Sequence, residues 1–352
     1  MFMLDAAGLA RFRALRQEAV DSVTQRFYVE QGAIYERFGD AGREACRDDL
    51  TFHLEFLQPV LELGVLQPMV DYLRWLASVL AARDIPAEHV GLSLDWMAEF
   101  FDARMDPADA HAVTAALRAA RARLMELGPA PDTIELTAPA PWPECDPFEV
   151  LLLAGNIRGA VEIVDALLEQ GRGLVEIEMH VIQPALYAVG REWQANEVSV
   201  AQEHLATAIA QTAMTHGLLR SDAAPPNEKR VLLSCVEGNI HAVGLQMVAD
   251  AFQLGGWEVQ YLGANVPTAS LVGHVEAWQP DLLALSMSFV WQMPVVREII
   301  ARLNQSLGED RPPVMVGGLA INRFDNGATL IGADAWSSDA TSAVATGERL
   351  VG

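Results

Sequence analysis

The stretch from residue 231 to residue 244 constrains the fold of this chain more than any other. Val231 to Val236 form an apolar run whose length and composition are typical of a buried parallel strand. A helical pattern begins just beyond His241, so this histidine is predicted to lie in the loop at the carboxyl end of the strand. Open α/β sheets bind their ligands at that edge. The loop is therefore a candidate binding site.

Two further loops follow apolar, strand-like runs. Residues 281–285 are followed by Ser286-Met287-Ser288, and residues 313–316 are followed by Gly317-Gly318. From Lys229 onward such runs alternate with helical patterns. This alternation predicts an α/β domain over residues 228–352, built on a doubly wound, five-stranded parallel sheet.

The order and spacing of these loops resemble the cobalamin-binding domain shared by corrinoid enzymes and sensors. The residues that carry the resemblance are His241, Gly244, Ser286, Ser288, Gly317 and Gly318. It implies that the histidine ligates cobalt from below, while the serines and the glycine pair line the slot that takes the nucleotide tail. The alternative is a flavodoxin-like domain whose histidine happens to lie on a loop.

The residues around His241 suit a metal ligand, with one departure from the family. A neutral imidazole is a good ligand for cobalt, and its second nitrogen usually donates to an acceptor that fixes the ring. The family most often has an aspartate two residues before the histidine, whereas this chain has Asn239. An amide oxygen still accepts the hydrogen bond but pushes less electron density onto the ring. His241 is therefore expected to ligate cobalt, and the strength of this bond is left open. Glu237 is a second candidate acceptor for the hydrogen bond from the ring.

Three segments precede the α/β domain. Residues 1–127 are rich in Ala, Leu, Arg and Glu, with apolar residues at three-to-four spacing, which predicts an all-α domain. Residues 128–144 contain two Pro-rich stretches and are predicted to be a linker. Residues 145–222 are predicted to form an antiparallel four-helix bundle, because short connections join the helical patterns. The predicted helices of this bundle are 147–155, 157–171, 174–195 and 199–220.

The bundle carries a second group of candidate residues. Trp193 ends one predicted helix, Ser199 to Gln202 look like a capping box, and Glu203-His204 follow. This spacing resembles the light-sensing cobalamin proteins of the CarH type, in which the tryptophan packs against the upper-face adenosyl group beside the Glu-His pair. An indole offers a flat apolar wall, and a carboxylate accepts hydrogen bonds from ribose hydroxyls. The alternative is that Trp193 only fills the bundle core.

The chain departs from those relatives in two ways. They begin with a DNA-binding helix-turn-helix rich in Arg and Lys, and no such segment is apparent before the bundle. They often have a histidine directly after the tryptophan, which can take the upper position on cobalt after photolysis, and here that residue is Gln194. A bis-histidine photoproduct needs another donor, with His204 and His180 as the candidates, or does not form.

The N-terminal domain is rich in aromatic residues around one histidine. His53 lies within an apolar helical stripe, and Arg43 is nearby in the sequence. The aromatic residues of this region include Tyr35, Phe38, Phe52, Phe56, Tyr72, Trp75, Trp96, Phe100 and Phe101. Such a pocket suits a flat tetrapyrrole, with the imidazole of His53 near the pyrrole nitrogens and the guanidinium of Arg43 on a propionate. A helical domain of this size joined to a CarH-like cobalamin module resembles the photocobilins, in which a globin-like domain holds a bilin. The resemblance implies that this domain binds biliverdin or another bilin. The alternatives are a heme, or a histidine that only fills the core.

The charge balance excludes several kinds of partner. Forty-seven acidic residues against 24 basic ones give a net charge of −23, which argues against binding to a nucleic-acid backbone. Three widely separated cysteines match no zinc spacing and predict no disulfide. No secretory leader is apparent, and the apolar runs are too short for a membrane span. We therefore expect a cytoplasmic protein with neither a nucleic-acid nor a membrane partner.

Together these patterns predict a photoreceptor without a catalytic output domain of its own. Light is expected to cleave the Co–C bond of adenosylcobalamin, either directly or sensitised by a bilin in the N-terminal domain. The resulting rearrangement changes the assembly of a homo-oligomer or the contact with a separate output protein. The alternative is a corrinoid shuttle protein for methyl transfer, which also joins a helical bundle to this sheet but has no need of Trp193 and the Glu203-His204 pair. A radical mutase needs a substrate barrel of strand–helix units, for which the sequence offers no pattern.

Overall fold

The computed structural model describes residues 2–130, 139–323 and 326–352. The chain divides into two compact units, Met1–Thr133 and Ile134–Gly352. The predicted linker over 128–144 lies partly outside the described residues, because 131–138 are not among them. Over the described residues, the structure contains no helix with the length and apolar character needed to cross a membrane.

The N-terminal unit is helical, as the pattern of residues 1–127 predicts. Its longer helices are α1 (Ala6–Glu30), α2 (Gly39–Leu63), α3 (Gln67–Ala81), α4 (Glu88–Arg104) and α5 (Pro107–Leu127), with short turns at Gly32–Tyr35 and Glu36–Phe38. The Asp5 side chain caps α1 by accepting from the N–H of Gly8 at 2.7 Å. Phe12, Leu54 and Phe101, all fully buried, belong to one core. The all-α class is confirmed for the described residues, and its globin-like character stays a prediction.

The helices predicted for the bundle are present, each within two residues of its expected bounds. They are α6 (Cys145–Leu153), α7 (Ile157–Glu169), the continuous run α8 (Leu174–Ile177), π-helix (Glu178–Ile182) and α9 (Gln183–Gln194), and α10 (Val200–Arg220). Ser199 opens α10 through the predicted capping box, its hydroxyl accepting from the N–H of Gln202 at 3.3 Å. The π-helix was not predicted. Gln183 and Pro184 follow it. Proline has no backbone N–H to donate, and a local widening of the helix accommodates the missing hydrogen bond.

The second half of the C-terminal unit is an α/β domain. Its strands are β1 (Arg230–Cys235), β2 (Glu258–Tyr261), β3 (Leu282–Ser286), β4 (Val314–Gly317) and β5 (Ala335–Trp336), and its longer helices are α11 (Val243–Leu254), α12 (Thr268–Trp278), α13 (Met293–Leu307) and α14 (Ala340–Val351). All pairings are parallel, in the order β2-β1-β3-β4-β5. The predicted doubly wound sheet of five strands is confirmed over the described residues.

The neighbouring strands β1 and β3 mark the point where the chain reverses its direction across the sheet. The chain runs from β1 outward to β2 and then returns to the other side of β1 as β3. Both strands are buried along nearly their whole length, which explains why they appear in the sequence as continuous apolar runs. Ligands of open α/β sheets bind at such a switch point. The loops after β1 and β3 are the ones that carry His241 and the serines.

Helix α11 connects the bundle to the sheet. Its residues Met247 and Ala251 belong to the same apolar core as Phe148 and Ile177 of the bundle. On its other side Leu245 belongs to the core of the sheet. Burial of α11 between the two layers fixes the bundle relative to a helix that begins directly after the histidine loop.

Candidate functional site

The loop that follows β1 positions His241 through a buried asparagine. Asn239 is fully buried, its Nδ2 donates to the carbonyl oxygen of Ser286 at 3.0 Å, and its Oδ1 accepts from the backbone N–H of His241 at 3.2 Å. The positive φ of Gly238, 81°, allows the chain to turn just before it. The asparagine therefore joins the histidine loop to the end of β3, which places the predicted loops of β1 and β3 side by side.

Neighbouring side chains hold the rest of this loop. The Oδ1 of Asn265 accepts from the N–H of Gly238 at 2.8 Å, and the hydroxyl of Tyr261 donates to the carbonyl of Ala242 at 3.0 Å. Glu237 was the second candidate acceptor for the histidine ring. In the structure its carboxylate accepts from the backbone N–H of Thr268 at 3.0 Å, at the start of α12. Glu237 thus caps a helix.

The imidazole of His241 is exposed and faces both an aromatic ring and a carboxylate. The ring of Phe289 packs against it edge to face, with 5.2 Å between the centroids and 74° between the planes. Desolvation by the surrounding atoms lowers the pKa of His241, and the negative charge of Glu203 opposes this shift. The neutral imidazole, which is the form that binds metals, is therefore favoured.

The predicted upper-face residues lie at the end of α9 and the start of α10. Trp193 is half-buried near the end of α9. Glu203 and the exposed His204 are hydrogen-bonded to each other through Oε2 and Nδ1, and Thr207 donates to Glu203 Oε1 at 3.0 Å. Because Glu203 acts electrostatically on His241, the first turn of α10 and the loop after β1 border the same region.

The glycine pair permits a close approach of backbone segments within the protein itself. A Cβ at Gly318, whose φ is 94°, would lie 2.4 Å from the carbonyl oxygen of Met287 and 3.0 Å from the hydroxyl of Ser286. A Cβ at Gly317 would lie 3.1 Å from the carbonyl oxygen of Ser337. Both glycines were assigned to ligand contact, but the packing of the chain already requires Gly318.

Gly244 differs from the glycine pair. It lies exposed in the first turn of α11, and a Cβ placed there meets no described atom within 4 Å. The protein's own packing therefore gives no reason for a glycine at this position. The missing side chain leaves room beside the histidine loop, as a bulky planar ligand would need.

Gln292 is a site residue that the sequence reasoning missed. It is 1 % exposed, its Oε1 accepts from the N–H groups of Ser288 at 2.9 Å and Phe289 at 3.1 Å, and its Nε2 donates to the carbonyl of Gly238 at 2.9 Å. It therefore fixes the serine loop and the histidine loop to each other. The only signal in the sequence was a glutamine among apolar residues, which does not reveal its partners.

His180, the second candidate donor for the upper face, is engaged elsewhere. Its ring stacks on Trp142 with centroids 4.7 Å apart, and its Nδ1 is 2.8 Å from the carbonyl oxygen of Ala140. Arg172 covers the Trp142 ring at 4.7 Å. The ring of His180 anchors the segment that enters the bundle, so His204 is the better placed of the two predicted donors.

In the N-terminal unit the two predicted chromophore contacts lie in different surroundings. His53 is 2 % exposed, its Nδ1 is 2.9 Å from the hydroxyl of Tyr72, and its Nε2 is 3.0 Å from that of Ser93. Burial lowers the pKa of His53 to about 4, so the ring is neutral at physiological pH. Arg43 is exposed, covers the Tyr28 ring at 4.1 Å and lines a cleft of about 760 Å³. His53 is not among the described residues that line this cleft.

Two family models match the C-terminal unit. Both are described as a B12 binding domain, one over residues 229–345 and the other over residues 145–216. The first covers the sheet with the loops of His241, Ser286 and Gly317. The second covers the helical bundle, including Trp193 and Glu203.

Individual relatives match a little over two fifths of the chain. Dimethylamine corrinoid protein 3 of Methanosarcina acetivorans is 30% identical over 148 residues, which are 41% of this chain and 68% of that protein. Dimethylamine corrinoid protein 2 of the same organism is 32% identical over 149 residues, which are 41% of this chain and 68% of that protein. The HTH-type transcriptional repressor CarA of Myxococcus xanthus is 31% identical over 44% of this chain and 52% of its own length.

A solved structure shows the same fold. The monomethylamine corrinoid protein of Methanosarcina barkeri superimposes with a TM-score of 0.50 at 22% identity, covering 57% of this chain and 95% of that one. At this identity the match concerns the fold and not the ligand or the activity.

Proposed function

Because this chain belongs to the family of B12-binding corrinoid proteins, we propose that it holds adenosylcobalamin between the bundle and the sheet and responds to light. When bound, adenosylcobalamin supplies a Co–C bond that visible light cleaves. The observation that carries the proposal is the exposed imidazole of His241 in the loop after β1, which the buried Asn239 holds against the end of β3. Glu203, at the start of α10, is near enough to act on the charge of this ring. A corrin between these two elements has a histidine on one side and the Glu203-His204 pair with Trp193 on the other.

The chain's own residues fit such a ligand. His241 is neutral and exposed, so its imidazole can serve as the lower ligand, and Gly244 leaves open space beside it. Ser286 and Ser288, at the end of β3, and the glycine pair, at the end of β4, border the slot assigned to the nucleotide tail. On the upper side Trp193 provides an apolar wall, and Glu203 accepts hydrogen bonds from ribose hydroxyls.

The lower ligand is tested by replacing His241 with alanine. We expect His241→Ala to bind cobalamin more weakly and to shift the absorption spectrum of the bound cofactor towards the form without a lower nitrogen ligand. The matched control is His274→Ala on α12, where the native ring contacts Gln260 at 2.6 Å. If the His241 variant keeps the wild-type spectrum and affinity, the assignment of cobalt to this loop is wrong.

The second candidate function is a corrinoid shuttle for methyl transfer. It is favoured by the matches to dimethylamine corrinoid proteins, whereas the match to CarA favours a regulator. The residues on the upper face of the corrin distinguish the sensor from the shuttle. A sensor needs the Trp193 wall for the adenosyl group, so Trp193→Ala should lower the preference for adenosylcobalamin over methylcobalamin. An unchanged preference, together with methyl transfer to an added acceptor, would favour the shuttle.

We also propose that the N-terminal unit binds biliverdin or another bilin. Arg43 lines an open cleft and can pair with a propionate, while His53 becomes available to a ligand only by exchanging its bonds with Tyr72 and Ser93. Coexpression with a source of biliverdin should give a red-absorbing protein, and Arg43→Ala and His53→Ala should each change that band. A Soret band with a redox response would indicate heme. With neither chromophore, the unit serves docking or dimerisation.

A further inference from the structure

The orientation of the His241 ring depends on its surroundings in the two loops. In metal sites the second nitrogen of a ligating histidine usually donates to an acceptor that fixes the ring plane. Here both candidate acceptors are engaged by backbone groups. Asn239 Oδ1 accepts from the backbone N–H of His241 itself, and Glu237 caps α12 at Thr268. These contacts fix the main chain of the loop.

The ring of Phe289 makes the direct contact with the imidazole. Its centroid is 5.2 Å from that of His241, and the planes stand at 74°. This edge-to-face geometry is the favourable arrangement for two aromatic rings, because the positive edge of one meets the negative face of the other. It holds when the imidazole is neutral, the form that a metal binds.

Phe289 is itself held firmly. Its ring stacks on that of Trp291 with 4.1 Å between centroids and 8° between planes. Its backbone N–H donates to the buried Gln292, which also donates to the carbonyl of Gly238 in the histidine loop. Both the main chain and the side chain of Phe289 are therefore fixed relative to the loop that carries His241.

We propose that Phe289 is a positioning residue for the lower cobalt ligand, setting the plane of the His241 imidazole by edge-to-face packing. This inference rests on the proposed function, since it assumes that His241 ligates cobalt. The Phe289–Trp291 stack supports the phenyl ring, and the edge-to-face contact favours the observed plane of the imidazole over other χ2 angles. Packing orients the ring without adding negative charge to it, unlike a carboxylate partner.

The test compares full-length variants loaded with Co(II) cobalamin. In protein prepared with 15N-labelled histidine, electron paramagnetic resonance separates the splitting of the cobalt signal by a histidine nitrogen from the splitting by the benzimidazole nitrogen of the cofactor. It therefore reports ligation by histidine and not mere occupancy. Phe289→Leu removes the flat ring but keeps an apolar side chain, and Phe289→Tyr restores the ring. Some of the bound cofactor will lack the splitting by the histidine nitrogen. We expect this fraction to be about two- to tenfold larger in the leucine variant than in the wild type, because the free energy of one aromatic pair supports a population change of that size. The tyrosine variant should match the wild type.

Two reference variants separate the outcomes. Phe252→Leu makes the same change in the core of the sheet, where the ring contacts Trp257 edge to face at 5.0 Å, so it controls for lost stability. An equal change of the signal in Phe252→Leu and Phe289→Leu would overturn the proposal, as would a wild-type signal in Phe289→Leu while His241→Ala loses the splitting. A wild-type signal in His241→Ala would remove the proposed ligation itself.

Discussion

At the scale of single residues, the site combines side chains whose position follows from local sequence with others that only the fold brings together. His241 and Asn239 directly follow an apolar strand, so their place at the sheet edge was predictable. Gln292 contacts Gly238 across 54 residues of sequence, and no local pattern indicates such a pair. Residues whose role depends on one distant partner therefore escaped the sequence analysis.

Two glycines test whether a small residue serves the fold or the ligand. Gly318→Ala should destabilise the protein by about 1–3 kcal/mol, because its φ of 94° disfavours a side chain and the Cβ collides with a carbonyl oxygen.

Gly244→Ala should leave stability unchanged or slightly higher, since the position is helical and open, but should weaken cobalamin binding.

Thermal unfolding of the ligand-free variants and cobalamin titration measure the two effects. A Gly244 variant with normal affinity would mean that this open position does not face the ligand. A Gly318 variant of wild-type stability would contradict the close packing between the ends of β3 and β4.

At the scale of elements, helix periodicity and strand composition gave the bundle and the sheet with bounds accurate to a few residues. These signals are local, since each helix and strand buries one face or a continuous run. The π-helix was not predictable because it depends on a shift in the hydrogen-bond pattern. The packing of Glu178 against α11 was not predictable either. Glu178 lies fully buried in the π-helix and faces Asp250, and its carboxyl oxygens have no other described hydrogen-bond partner.

This carboxyl pair makes stability depend on pH. Burial raises the pKa of Asp250 from 3.8 to about 6, and burial with the neighbouring Asp250 raises that of Glu178 well above its ordinary value. Tyr261, whose phenol is neutral, also interacts with Asp250. The folded state therefore binds more protons than the unfolded one. The stabilisation from protonated Asp250 is fully present below about pH 4 and is lost as pH rises through about 6.

Asp250→Asn should reduce this loss and raise the free energy of unfolding at pH 8 by roughly 1–3 kcal/mol, because one buried charge is removed. Denaturant unfolding between pH 4 and pH 8 measures the effect, with the exposed Asp222→Asn as the control for a lost surface charge. Parallel pH profiles for the wild type and the Asp250 variant would contradict the raised pKa of Asp250.

At the scale of the whole molecule, the charge of −23 restricts the partners of this chain. CarA, which matches 44% of this chain, is named as a transcriptional repressor. We expect this protein not to bind duplex DNA at physiological ionic strength, in the dark or in light, because its net charge repels phosphates. Fluorescence anisotropy of labelled duplexes measures binding. A sequence-specific, salt-sensitive increase would restore a repressor role.

The central claim is that light absorbed by bound adenosylcobalamin changes the protein and not only the cofactor. The most direct measurement is the molar mass and hydrodynamic radius of the loaded full-length protein, in the dark and after illumination, with methylcobalamin as the comparison ligand. We predict that illumination of the adenosylcobalamin complex changes the mass, the radius or both, and that Trp193→Ala weakens this response. Cofactor photolysis that leaves both quantities at their dark values would contradict the photoreceptor and favour the methyl shuttle.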